Sequence, residues 1–253
     1  MAEYKFPTEM VELPSKGHFY ADGHPLSSGK VEVKYMTAKE EDILTSQNLI
    51  KQGTVIDKLL ESLIVDKSIK LDDMLIGDKN ALMVGTRVLG YGKDYVVKIT
   101  DPDTNLDVEH SFDLTNLKSK TIDDEVFAKG NKFEFTCPKS KAKLEFKILT
   151  SGDENEITKQ VKSFAKISKL TGVSNELTTR LKYQIISVDG DTKQSLINDF
   201  VDNRFLSLDT KEFRKYINSI TPDIIFEQEY ESQIGDTHTV AVPIGIGFFW
   251  PDA

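Results

Sequence analysis

Cysteine and histidine are scarce in this sequence, which has one cysteine, Cys137, and four histidines among 253 residues. A single thiol excludes an intrachain disulfide and any zinc site built from several cysteines. The histidines, His18, His24, His110 and His238, also lack the i, i+4 spacing of a helical metal pair. These absences predict a protein of a reducing compartment that carries no metal ion.

Long hydrophobic runs are also missing. The longest apolar stretch, Val240 to Trp250, is interrupted by Pro243, Gly245 and Gly247, and it falls well short of the roughly 20 residues of a membrane-spanning helix. The N-terminal segment lacks the basic start and continuous apolar run of a secretion signal. We therefore expect no membrane span and a location in the cytoplasm where the protein is made.

Positive charge is in deficit, because 32 lysines and arginines face 41 acidic residues and give a net charge of -9. Neutralisation of phosphates by lysine and arginine supplies most non-specific affinity for nucleic acid, so this balance disfavours a nucleic-acid partner. The best local basic cluster is Lys139, Lys141, Lys143 and Lys147. Strand alternation predicts that these lysines share one face of a hairpin, which favours a solvated face over a phosphate track.

The sequence pattern predicts two helical units. In the first, over 37–92, Thr37 and Glu40 form a capping box for a helix from about 38 to 47, and two more helices follow, one from Val55 and one beginning near Leu71. In the second, over 151–222, one helix opens at Asp153 and closes at Gly172. The next runs from Leu177 through Ile185 and Ile186, a segment over 195–205 follows, and Asp209 caps the last.

The remaining segments favour β-strands. We predict a small β meander over 1–36, and two hairpins over 93–150 with turns at residues 101–105 and 137–141. The hairpins are expected to pair into one antiparallel sheet, which the C-terminal strands of 223–253, over 224–230 and 238–250, are free to join. The predicted fold class is therefore α+β, with antiparallel hairpins and two helical units in one or two compact domains.

Catalytic motifs are weak. Neither Gly90-Tyr91-Gly92 nor Gly245-Ile246-Gly247 has the lysine and helix entry of a phosphate loop, so we expect no nucleotide cofactor. Cys137 lacks a nucleophile motif, and His110 faces a turn whose two aspartates have a common turn composition. An enzyme that uses Cys137 or His110 stays an alternative, but the pattern favours a non-enzymatic protein.

The aromatic segment Phe248-Phe249-Trp250-Pro251 is the candidate partner-binding site. If it is a strand, successive side chains alternate, so the three rings cannot all point to the same side. A ring left outside the core would suit an interface, where Trp and Phe concentrate. Core packing of these residues is the competing interpretation.

Four groups of residues, taken in order, resemble the baseplate proteins of T4-like contractile-tailed phages. They are Leu13-Pro14-Ser15-Lys16-Gly17 with Phe19-Tyr20; Met36 to Leu44; Leu75 to Asn80 with Arg87 and Gly90-Tyr91-Gly92; and Phe248 to Pro251. The similarity spans nearly the whole chain, and the order of the four groups makes it fairly specific.

The resemblance implies a subunit or assembly factor of the central baseplate hub, without catalytic activity, that works with the hub and the tape-measure protein. It leaves open a location in the finished tail baseplate or a chaperone role in the host cytoplasm during assembly. Some relatives carry a Cys-Pro-x-Cys pair where this sequence has Asp101-Pro102-Asp103-Thr104. Any zinc knuckle of those relatives should therefore be absent here.

Overall fold

The computed structural model describes residues 7–127, 130–164 and 174–250. The predicted helix end at Gly172 and the proposed site residue Pro251 lie outside the described residues. Helices are combined with several small sheets in which every pairing is antiparallel, which confirms the α+β class. Within the described ranges, no helix is long and apolar enough to cross a membrane.

The helices lie in the two regions that apolar periodicity indicates, with one short helix between them. They are α1 (Ala38–Leu44), α2 (Gln47–Gln52), α3 (Val55–Leu63), α4 (Ile76–Tyr91), α5 (Asp124–Phe127), α6 (Ser151–Ser163), α7 (Glu176–Gln184), α8 (Gln194–Asp199) with a π-helical turn at Phe200–Arg204, and α9 (Ser207–Ile220). The capping box is confirmed, because the backbone N–H of Thr37 donates to Glu40 Oε2 at 3.0 Å. The helix predicted over 38–47 ends early, since Ser46 adopts an extended conformation that separates α1 from α2.

The strands form small antiparallel sheets. These are β1 (Thr8–Glu12) with β2 (Lys30–Lys34); β3 (Asp94–Thr100) with β4 (Asp107–Asp113); β5 (Lys118–Ser119) with β9 (Ile224–Ile225); β6 (Phe133–Thr136), β7 (Lys143–Phe146) and β8 (Ile185–Val188); and β10 (Glu227–Glu231) with β11 (Thr237–Ala241). Both predicted hairpins are confirmed, with Tyr95 opposite Phe112 and Phe135 opposite Leu144.

The predicted combination of strands into one sheet is wrong. The β3–β4 hairpin remains a separate pair, and β7 instead takes β8 as its second neighbour. Ile185 and Ile186 therefore lie in a strand and not in the predicted helix. Both are β-branched and suit a strand, and Ile185 pairs with Phe146. The C-terminal strand β11 joins neither the β3–β4 pair nor the sheet of β6, β7 and β8, because it pairs with β10 alone.

Asp209 does not cap a helix as predicted, because α9 already begins at Ser207. Its buried carboxylate accepts hydrogen bonds from the backbone N–H groups of Lys139 at 2.6 Å and Ser140 at 2.9 Å. Asp209 thus holds the loop between β6 and β7 against α9. Lys139 and Lys141 lie in this loop, Lys141 with a φ of +63°, so the common strand face predicted for the four lysines is wrong.

Buried side chains form three cores that join distant parts of the sequence. The first lies between the N-terminal sheet, α3 and α4, and includes Val31, Val33, Leu60, Met74 and Leu82. The second includes Leu44, Leu59, Leu63, Tyr95, Phe112, Phe248 and Phe249. The third includes Phe19, Phe133, Phe146, Phe200 and Phe213. The division into five sequence segments stays a prediction.

Candidate functional site

The chain leaves β11 at Ala241 and does not continue as the strand predicted over 238–250. Pro243 has no N–H to offer a ladder, and its carbonyl instead accepts a hydrogen bond from Tyr95 Oη at 2.9 Å. After Gly245 the backbone forms a 3₁₀ turn over Ile246–Phe248. The aromatic segment is therefore a compact turn on the second core.

Phe248 and Phe249 both point into this core, with 1% and 2% of their surface exposed. The alternation expected of a strand does not apply, because consecutive side chains of a 3₁₀ turn are not on opposite faces. The Phe248 ring packs edge-on against Tyr95 at 5.2 Å between centroids and against Phe249 at 5.1 Å. These two phenylalanines tie the C-terminal turn to β3.

Trp250 is only partly buried, and its indole is held at the end of α1. The indole Nε1–H donates to the carbonyl oxygen of Leu44 at 3.1 Å. Leu44 ends α1, where backbone carbonyls have no partner within the helix, so the ring both caps the helix and keeps a fixed orientation. Among the three aromatic residues, Trp250 is the one with surface left for a partner.

Asp78 joins the first and third motif groups of the resemblance. It is buried in α4 and accepts hydrogen bonds from the Ser15 N–H at 2.9 Å and from Tyr20 Oη at 2.6 Å. Tyr20 Oη in turn accepts the N–H of Leu75 at 2.9 Å. Burial raises the pKa of Asp78, and burial together with the Asp78 carboxylate raises the pKa of Tyr20. The motif residues thus act as a structural joint between the N-terminal turn and α4.

Arg87 makes a second joint, where α4 turns into β3. Its Nη1 donates to the Gly92 carbonyl at 3.0 Å and its Nη2 to the Asp94 carbonyl at 3.4 Å, and the guanidinium lies over the Tyr91 ring at 5.1 Å. Burial lowers the pKa of Arg87. A Cβ at Gly90, beside it, would lie 1.6 Å from Met36 Cε, which is the free end of a flexible side chain, so the Met36 side chain would have to move.

Asp101 connects the turns of the two hairpins β3–β4 and β10–β11. Its buried carboxylate accepts hydrogen bonds from the N–H groups of Asp103 and Thr104 within its own turn. It also accepts hydrogen bonds from two donors of the other hairpin, the hydroxyl of Tyr230 at 2.7 Å and the backbone N–H of Gln233 at 2.9 Å. The N–H of Thr104 and the other donors hold the pKa of Asp101 well below its usual range. A single carboxylate therefore cross-links the two hairpin turns.

Replacing Asp101 with alanine is expected to lower the melting temperature by roughly 5–10 °C, because several buried donors lose their acceptor together. The exposed Asp107 of the same hairpin is the matched control, since its carboxylate accepts one bond from Thr100 Oγ1 at the surface. Asp107→Ala should shift melting by less than about 2 °C. Equal shifts for both variants in a thermal unfolding experiment would contradict this role of Asp101.

The two residues of the enzyme alternative lie in structural settings. Cys137 is fully buried, and burial raises the pKa of its thiol, which disfavours the reactive thiolate. The His110 ring packs edge-on against Phe112 and Tyr230, while Asp103 contacts His238 at 2.8 Å.

Among the described residues, no group of three or more His, Cys, Asp or Glu side chains is placed to hold a metal. Metal analysis of the purified chain tests the expected absence of zinc.

Three residues of the motif groups, Tyr20, Asp78 and Arg87, are therefore used as internal joints. A family model described as T4 bacteriophage base plate protein matches residues 6–243. The chain belongs to this family, and the expected resemblance is confirmed. The match ends before the aromatic segment at 248–250. No curated protein and no solved structure was found to match the chain.

Proposed function

We propose that this baseplate protein is a non-enzymatic subunit or assembly factor of the central baseplate hub that acts through protein–protein contacts. The observation that carries the proposal is the family match over residues 6–243. The use of Asp78 and Asp101 as joints supports it, because both carboxylates accept hydrogen bonds from neighbouring protein donors and hold the fold together.

The proposed partners are the hub and the tape-measure protein, met in the host cytoplasm during tail assembly. The test is a pull-down of the tagged chain from infected cells, compared with the protein content of purified virions. A hub subunit is recovered with hub proteins and is present in the virion. A tape-measure or tail assembly chaperone is recovered with its client and is absent from the virion. Recovery without any tail protein would contradict both roles.

The aromatic segment is the proposed partner-binding element within this function. Phe248 and Phe249 anchor the turn in the core, and the hydrogen bond to Leu44 orients the Trp250 ring. A large aromatic side chain held in one orientation loses little further entropy when a partner covers it, which suits an energetic centre of an interface. We propose that the exposed part of Trp250 and the adjoining Pro251 contact the partner.

Replacing Trp250 with alanine is expected to weaken assembly by about 2 kcal/mol or more, the scale of an interface hot spot. Replacing the buried Phe249 with alanine should instead lower the free energy of unfolding by roughly 3–5 kcal/mol. Trp250→Phe keeps an aromatic side chain but removes the N–H that donates to Leu44, so it tests the hydrogen bond while much of the packing is retained. Partner titration and thermal unfolding measure the two effects, and normal assembly by Trp250→Ala would rule out the contact.

A further inference from the structure

The turns of two separate hairpins lie together and form what we call the hairpin tip. It consists of the β3–β4 turn, residues 101–106, and the β10–β11 turn, residues 232–236. Both turns bond to the same buried Asp101 carboxylate. The N–H of Asp101 also bonds to the Leu106 carbonyl at 2.8 Å, and the N–H of Ser232 bonds to the Asp236 carbonyl at 2.8 Å. The tip is therefore a preorganised surface made from two turns that are over 120 residues apart in the chain.

Two large aliphatic side chains protrude from this tip. Leu106 is 59% exposed, and Ile234 is 67% exposed. A single exposed aliphatic residue is ordinary on a soluble protein, but here the turns that carry both are fixed to one carboxylate. Each turn thus offers one apolar anchor in a defined position.

The anchors are surrounded by negative charge. The segments 101–107 and 231–237 contain no lysine or arginine, and three of their carboxylates, Asp107, Glu231 and Asp236, are exposed and form no ion pair among the described residues, whereas Asp101 is buried and Asp103 contacts His238. On the outer face of β10, Glu227, Glu229 and Glu231 are exposed in alternate positions, and within the described ranges none forms an ion pair. The partner that complements this surface must therefore carry positive charge around an apolar pocket.

We infer that the hairpin tip is a second docking surface, and that its occupant is a protein partner with lysine and arginine residues around a pocket for Leu106 and Ile234. The inference rests on the proposed function, because a baseplate protein of the same phage is the expected partner. A copy of this chain that met the tip with its own tip would oppose like charges. Nucleic acid is disfavoured for the same reason.

The test uses the full chain co-expressed with the other baseplate proteins of its phage. Leu106→Ser combined with Ile234→Ser should reduce recovery of one baseplate protein by about tenfold or more, the scale of a lost hot spot. The matched control combines Leu196→Ser with Leu208→Ser, since those residues are 37% and 52% exposed in the second helical unit. The control should leave recovery unchanged, and both variants should melt within about 2 °C of the native chain.

Charge and contact are tested by two further measurements. Glu229→Lys combined with Glu231→Lys should reduce recovery of the same protein, and higher salt should weaken binding of the native chain. A photo-crosslinker at position 234 should attach to a segment of that protein with an excess of lysine and arginine. Attachment to a second copy of this chain, or to a segment without that excess, would overturn the inference.

The outcomes separate the inference from the proposed function. If the native chain recovers baseplate proteins and the tip variants recover them equally well, only the docking surface is refuted. If the native chain recovers no baseplate protein, the proposed function fails and the inference fails with it.

Discussion

Replacing Gly77 with alanine is expected to lower the free energy of unfolding by about 3 kcal/mol or more. Gly77 lies in the first turn of α4, where a Cβ would be 1.9 Å from the Pro222 carbonyl oxygen and 2.7 Å from Asp223 Cα. Both atoms are backbone, so the segment leading into β9 would have to move away. The gain in helix propensity, about 1 kcal/mol, is too small to offset this.

Gly85 of the same helix is the matched control. A Cβ there would meet Val11 Cγ2 at 2.7 Å, which is the end of a side chain and not backbone. Val11 is stiff, but a shift of one side chain costs less than a shift of backbone and the propensity gain offsets part of it, so Gly85→Ala should lower stability by clearly less than Gly77→Ala does. Denaturant unfolding of both variants compares them directly, and a larger loss for Gly85→Ala would contradict the argument.

Replacing Glu40 with alanine is expected to cost about 3 kcal/mol of folding stability. The Glu40 side chain is fully buried. Its carboxylate accepts a hydrogen bond from the Lys34 ammonium at 2.8 Å. It also accepts hydrogen bonds from the backbone N–H of Thr37 at 3.0 Å and from the Thr37 hydroxyl at 2.7 Å. The exposed pair of Lys58 and Glu61 is the control, for which Glu61→Ala should cost less than about 1 kcal/mol.

The same carboxylate predicts a pH dependence. Burial by itself would raise the pKa of Glu40, but the hydrogen bonds from Lys34 and Thr37 outweigh it and lower the pKa from 4.5 to about 2. A lowered folded-state pKa stabilises the protein above the unfolded-state value, so this contribution is complete above pH 4.5 and is lost as the pH falls towards 2. Glu40→Gln should flatten that part of the stability profile, and an unchanged profile would contradict the assignment.

Local signals in the sequence predicted local structure well. Thr37 and Glu40 form the expected capping box, because capping depends on residues within one turn. The Asp-Pro-Asp-Thr-Asn turn at 101–105 joins the predicted strands β3 and β4, since turn composition and alternation agree there. Helices and hairpins of this kind account for the confirmed fold class.

Long-range contacts decided what the sequence did not predict. Ile185 and Ile186 continue the apolar spacing of α7, yet pairing with β7 makes them a strand. Asp209 has the sequence context of a cap, but its partners at Lys139 and Ser140 are about 70 residues away. The position of Asp78 in the sequence is a usable signal of its buried role, because it lies three residues after Leu75 and four before Leu82, on the apolar face of the helix. A charged residue on the apolar face of a helix indicates a buried polar partner.

The second core has a consequence for the order of folding during synthesis. Leu44, Leu59 and Leu63 share this core with Phe248 and Phe249, and the helix containing Gly77 packs against the backbone at Pro222. The ribosome produces these partners roughly 7–40 s apart at 5–20 residues per second. Throughout that interval Leu44, Leu59 and Leu63 lack the part of their cover that Phe248 and Phe249 supply. The nascent protein therefore depends on Phe248 and Phe249 to close a core that begins at Leu44.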